Sequence, residues 1–254
     1  MEYFVAQGSV VREIWGKADT VLFIFAGAAA EFALNKAVDW LYFTGKLPAD
    51  PLARLFSTVD YARQIVFAER AGAERAIDTI AAIHGAVEAK RGMAIPDWAY
   101  RDVLFLLVDY SIRSFEVLER PLTSTEKAEV YTVFRQVGAR MGVPELPATY
   151  QEWLPIRQQH LAQNLEHSRY TADLYQQYRR HLGGLRYELL LQAQRLVVPQ
   201  RVRKMLKLGT RTWLPLLLPL YRHTQHLALS KWAKAGLLPT AYKDRILALD
   251  YRPS

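Results

Sequence analysis

Helix punctuation recurs along this chain while strand punctuation is nearly missing, and that contrast limits the folds open to it. Asp50-Pro51 offers a capping carboxylate followed by a residue that needs no N–H at the first helical position, predicting a helix from Pro51 to about Glu69. Ala73 to Arg91 carries apolar residues at helical spacing and is closed by Gly92. A third helix is expected from about Pro96 to Leu118. Thr123 and Glu126 form a capping-box pair for a fourth, which stops at Gly142-Val143-Pro144, and Thr149 caps another reaching about Glu166. Further helices are expected near Asp173–His181, Leu185–Val197, Pro199–Lys207 and Tyr221–Ala235, with Gly183-Gly184 as a hinge. Alternating strand patterns and Asn-Gly or Asp-Gly hairpins are not found. The expected fold is all-α, a single-domain bundle of about 9–11 helices spanning 1–254.

Cysteine is absent, which removes disulfides, thiolate zinc sites and iron–sulfur clusters, and fits a reducing compartment. Any haem would need histidine, methionine, tyrosine or lysine as its ligand. The N-terminus shows no signal-peptide pattern, and the most apolar stretch, Val21 to Ala30, is too short to span a bilayer. A cytoplasmic protein, with peripheral membrane contact as an option, is therefore expected.

Charge is unevenly placed. No acid occurs between Glu188 and Asp244, a stretch holding ten Lys and Arg residues, whereas the whole chain carries a net +8. Inside it lies Trp213 to Tyr221, W-L-P-L-L-L-P-L-Y. Cations beside such a segment suit an anionic membrane surface, although a solvated basic face around a buried element has the same composition. No zinc-finger, RNP or recognition-helix signature accompanies the charge, so nucleic acid is not an expected partner.

Candidate chemistry centres on His84. Ile77, Ile80, His84 and Val87 share one helix face, and an inward imidazole must find a hydrogen-bond partner or a metal. Gly85 follows, where a missing side chain lets a flat ligand approach. A core histidine bonded to a backbone carbonyl fits the same spacing. Asp39 and Asp109 are acids in apolar surroundings, suited either to a proton-transfer role or to pairing with an arginine such as Arg113. His223 and His226 lie one turn apart without a third ligand nearby in sequence, and His160 and His167 read as exposed in a Gln-rich setting.

The run Asp50-Pro51-Leu52-Ala53-Arg54-Leu55-Phe56-Ser57-Thr58 is followed in order by further short motifs. These are Val66-Phe67-Ala68, Ile83-His84-Gly85-Ala86-Val87, Gly92, Leu107-Val108-Asp109, Phe115-Glu116, Leu122-Thr123 and Gly142-Val143-Pro144. This succession resembles the MpaB-type and rubber (latex-clearing) oxygenase family over about residues 10–165, leaving 166–254 as a basic helical extension. The resemblance implies an all-helical protein with haem b, using dioxygen to cleave an apolar, isoprenoid or lipid-like substrate. It implies His84 as the axial ligand of haem iron, and Arg54 and Thr58 as distal-side catalytic residues. Arg54 would serve either an oxygen species or a haem propionate. Ser57 stands where the family has a lysine that caps the iron, so that closed state is not expected.

Two segments depart from the pattern. Leu34-Asn35 stands where many members carry His-Pro, and Arg101-Asp102-Val103-Leu104-Phe105-Leu106 lacks the Trp, His and Thr of the family's third-helix motif. These departures leave open a second reading, a non-catalytic haem- or lipid-binding protein or a membrane-surface adaptor.

Overall fold

A computed structural model describes residues 2–45 and 50–224, without the side chains of 51–55, 217, 220 and 222–224. Eleven helices occur among the described residues. They are α1 (Val10–Trp15), α2 (Ala18–Phe32), α3 (Val38–Phe43), α4 (Pro51–Phe67), α5 (Arg70–Arg91), α6 (Asp97–Leu118), α7 (Ser124–Arg140), α8 (Tyr150–Gln163), α9 (Arg169–Val197), α10 (Gln200–Met205) and α11 (Leu214–Thr224). No strand is present among these residues. The extended pairings are two isolated bridges, Tyr3 with Glu69 and Asn35 with Leu165.

The predicted punctuation works locally. Thr123 Oγ1 accepts from the Glu126 amide at 3.2 Å while Glu126 accepts from the Thr123 amide at 2.8 Å, a reciprocal cap on α7. Thr149 Oγ1 caps α8 by accepting from the Glu152 amide at 3.2 Å, while the Glu152 carboxylate accepts from the Ala148 amide at 2.9 Å. Gly92 ends α5 at φ 70°, in the left-handed region that glycine enters without a Cβ clash. The two helices expected at Asp173–His181 and Leu185–Val197 both lie within α9, and they are separated at the expected hinge by Gly183, whose φ of 72° and ψ of 174° break the helical path. The helix expected at Tyr221–Ala235 instead starts at Leu214; beyond Thr224 that expectation lies outside the described residues.

The centre of the molecule is the α2–α6 pair. Gly27 makes that approach possible, since a Cβ there would stand 2.3 Å from the Tyr110 ring. Around the pair, Ile14, Trp15, Ile24, Phe105, Phe115 and Trp153 are fully enclosed. The Trp15 indole N–H donates to Ser111 at 3.2 Å, satisfying the one polar atom that its burial would strand. Val197, Val198, Val202 and Leu208 join this same core, so the chain as far as Leu208 packs with the N-terminal helices. Gln194 reinforces the contact by donating to the Ala26 carbonyl at 3.1 Å.

Candidate functional site

His84 lies on α5, and its helix packs against α4, which carries Arg54 and Thr58. The predicted stripe is real but graded: Ile77 is fully buried, while Ile80, His84 and Val87 are half-buried. The His84 ring sits 5.2 Å from the Tyr100 ring, tilted by 57°. Tyr100 is held in turn by Glu88, whose Oε1 accepts from the Tyr100 hydroxyl at 3.1 Å and from the Ile95 amide at 2.7 Å. Gly85 is exposed, and a Cβ built on it would meet nothing within 4 Å. The helix surface at Gly85, next in sequence to His84, is therefore open.

Thr58 is half-buried on α4. Arg54 lies one helical turn before it, which puts the two positions on one face; the Arg54 side chain is outside the described residues. Farther along α4, Asp60, Arg63, Gln64, Phe67 and Ala68 frame an open hollow of about 480 Å³. Among the described residues no group of three or more His, Asp or Glu side chains is arranged to hold a bare metal ion. A haem iron needs only one protein imidazole, and a half-buried histidine beside an unfilled glycine meets that requirement. The residues present fit the group. His226 and the side chain of His223 lie outside the described residues.

The most heavily charged part of the interior is elsewhere, and of it sequence reasoning placed only Asp109 in apolar surroundings, with Arg113 as one possible partner. Arg157, 2% exposed on α8, grips Glu31 of α2 with two bonds, Nη1 to Oε1 at 2.5 Å and Nη2 to Oε2 at 2.7 Å. The same guanidinium donates through Nε and Nη2 to Asp109 Oδ2 at 3.0 and 2.9 Å, and Arg113 takes the other Asp109 oxygen at 2.6 Å. The Tyr110 hydroxyl donates to Glu31 Oε2 at 2.9 Å. His160 completes the cluster, with Nε2 3.2 Å from Glu31 Oε1 and Nδ1 2.9 Å from Asp102 Oδ1. Asn35 and Asn164 donate to Asp102 Oδ2 at 3.1 and 2.9 Å.

Both oxygens of all three carboxylates are engaged, and this satisfaction is what permits charges at such depth. Burial alone would raise the Glu31 carboxyl, but Arg157 and His160 hold it well below the usual carboxylate range. Burial alone would lower the His160 imidazole, and the carboxylates of Asp102 and Glu31 outweigh it, leaving the pKa above its ordinary 6.5. Burial and the Glu31 charge push the Tyr110 phenol far upward. The cluster ties α2, α6 and α8 together, with the oxygens of its three carboxylates all committed to partners inside it.

One expectation changes here, and one open alternative is resolved. His160 is not exposed but 4% accessible, because its position in a polar-looking helix is overridden by carboxylates on α2 and α6. Asp39 and Asp109 take the second of the roles open to them: Asp39 pairs with Arg91 at 2.6 Å, and Asp109 with Arg113 and Arg157. Arg91 also lies 3.9 Å over the Trp40 ring. His167 is exposed, as its setting indicates.

Among the described residues no helix is long and apolar enough to cross a membrane. The family model described as "ER-bound oxygenase mpaB/B'/Rubber oxygenase, catalytic domain" matches residues 14–239. No curated protein and no solved structure matches the chain.

Proposed function

We propose, for a chain that belongs to the ER-bound oxygenase mpaB/B'/rubber oxygenase catalytic-domain family, that it is a haem b-dependent oxygenase acting with dioxygen on an apolar, isoprenoid or lipid-like substrate. The observation that carries the reading is His84, half-buried on α5, with open space beside Gly85 and with α4 packed against its helix. Haem supplies redox chemistry with dioxygen that no amino-acid side chain provides.

His84 would hold the iron through a neutral imidazole, and Tyr100, braced by Glu88, would limit how that ring can turn. Gly85 lets a planar macrocycle lie against the helix. Thr58 would offer a hydroxyl from α4, and Arg54, one turn before it, would offer a cation to a haem propionate or to an oxygen species. The Glu31–Arg157–Asp109 cluster fixes α2, α6 and α8 and takes no proton in the reaction.

The test is optical. Full-length protein reconstituted with hemin should show a Soret band that His84→Ala abolishes while far-UV circular dichroism stays unchanged. Thr58→Ala should keep the band and lose oxygen uptake in the presence of an isoprenoid or unsaturated lipid. A parent protein without the band, or a His84→Ala protein that keeps it, overturns the assignment.

A further inference from the structure

Leu208 is buried in the main core, and its carbonyl accepts from Arg195 Nε at 2.6 Å. Tyr221, thirteen residues on, donates its hydroxyl to Asp19 of α2 at 2.6 Å. The chain turns through two left-handed residues that flank the first anchor, Lys207 at φ 52° and Gly209 at φ 71°, and then enters α11. Pinned at both ends, it still presents Trp213 at 42% and Leu216 at 81% exposure, with Pro215 and Pro219 also exposed. Large apolar side chains held in water by a fixed backbone mark a surface that meets something apolar.

The flanking charge says what that is. Lys204, Lys207 and Arg211 are exposed and make no ion pair with any carboxylate among the described residues. They belong to a stretch without a single acid from residue 189 to 243. Between Trp213 and Tyr221 every side chain is leucine or proline. A protein partner would ask such a face for about one hydrogen bond per 100–200 Å². A bilayer asks none of it, while its headgroups take the cations and its interfacial zone favours a terminal Trp and Tyr.

We infer that residues 204–221 form a surface that docks on anionic lipid bilayers, with Trp213 and Leu216 inserted and Lys204, Lys207 and Arg211 on the headgroups. The inference is independent of the reading of His84, whose test is an absorbance.

Full-length protein should co-sediment with phosphatidylcholine–phosphatidylserine vesicles of about 2:1 composition and much less with pure phosphatidylcholine, and should be released as salt approaches roughly 1 M. The double variant Trp213→Ala/Leu216→Glu should bind at least about tenfold more weakly. The triple variant Lys204→Gln/Lys207→Gln/Arg211→Gln should lose roughly a hundredfold, at about fivefold per charge. All five positions are exposed, so melting temperatures should stay at the parent value; the salt and lipid dependence of the parent tests the charge without any substitution. Equal binding to uncharged vesicles, undiminished binding by both variants, or affinity for an acidic protein with none for vesicles would each overturn the proposal.

Discussion

Asn35 Nδ2 donates to Asp102 Oδ2 at 3.1 Å, and these two residues come from the two segments in which the sequence departs from the family pattern it otherwise resembles. The departures therefore meet in space. Asn35 is fixed from both ends of its amide, since its Oδ1 accepts from the Ala37 N–H at 2.8 Å. Through Asp102 it reaches His160, and through His160 it reaches Glu31. The altered positions thus build one side of the buried cluster. Replacing Asn35 by Leu removes a donor from Asp102 and an acceptor from Ala37, and should cost about 1–3 kcal/mol in urea unfolding. Asn35→Asp should cost more, because it sets a second carboxylate against Asp102.

Arg157 is the cation on which two buried carboxylates depend. Arg157→Met leaves Glu31 and Asp109 without their shared partner at full depth, a loss of about 3–5 kcal/mol. The double variant Arg157→Met/Glu31→Gln should recover part of that, since the stranded charge goes with the glutamate. Chemical denaturation of the three proteins checks the non-additivity. Equal losses in the single and double variants would show that packing by the long arginine stem, rather than charge, is what counts.

The helices were legible in the sequence because their signals are local. The capping pair Thr123 and Glu126, the cap at Thr149 and the terminal Gly92 each act within one turn, so spacing alone locates them. Burial of Arg157 and His160 was not legible. Their helix, Y-Q-E-W-L-P-I-R-Q-Q-H-L-A-Q, has a Gln-rich polar surface pattern. What draws these side chains inward is Glu31, 126 residues from Arg157, and Asp109, 48 residues away. Pairing at that sequence distance leaves no periodic trace. The candidate site was legible in a different degree: the apolar stripe that half-buries His84 follows from helix spacing, whereas the packing of its helix on that of Thr58 and the open surface at Gly85 required coordinates.

Stability should depend on pH through His160 and Glu31 with opposite signs. His160 is faced by Asp102 from α6, Glu31 from α2 and Arg157 from its own helix, and its pKa is raised above 6.5. Its contribution is complete below about pH 6.5 and is lost as pH climbs through the raised value. Glu31 has its pKa depressed below 4.5, so its contribution is complete above that value and is lost as pH falls toward the depressed one. Melting temperature should be highest between these limits and fall on the alkaline side as His160 loses its proton. His160→Gln should be less stable throughout and should flatten the alkaline fall. A fall of unchanged slope in that variant would assign it to another group.

Gly85 separates helix stability from ligand accommodation. It lies inside α5, where glycine costs about 1 kcal/mol relative to alanine, and a Cβ there meets no neighbour within 4 Å. Gly85→Ala should therefore raise the stability of the haem-free protein by about 0.5–1 kcal/mol. Gly85 is exposed, so Gly85→Phe should also fold and melt near the parent, but its bulk would stand on the helix surface where the proposed macrocycle would lie. Hemin titration followed at the Soret band should then show clearly weaker uptake in Gly85→Phe than in Gly85→Ala. Parent-like uptake by the phenylalanine variant would mean that the macrocycle does not lie on that side of α5, and that the glycine is only a weak point in the helix.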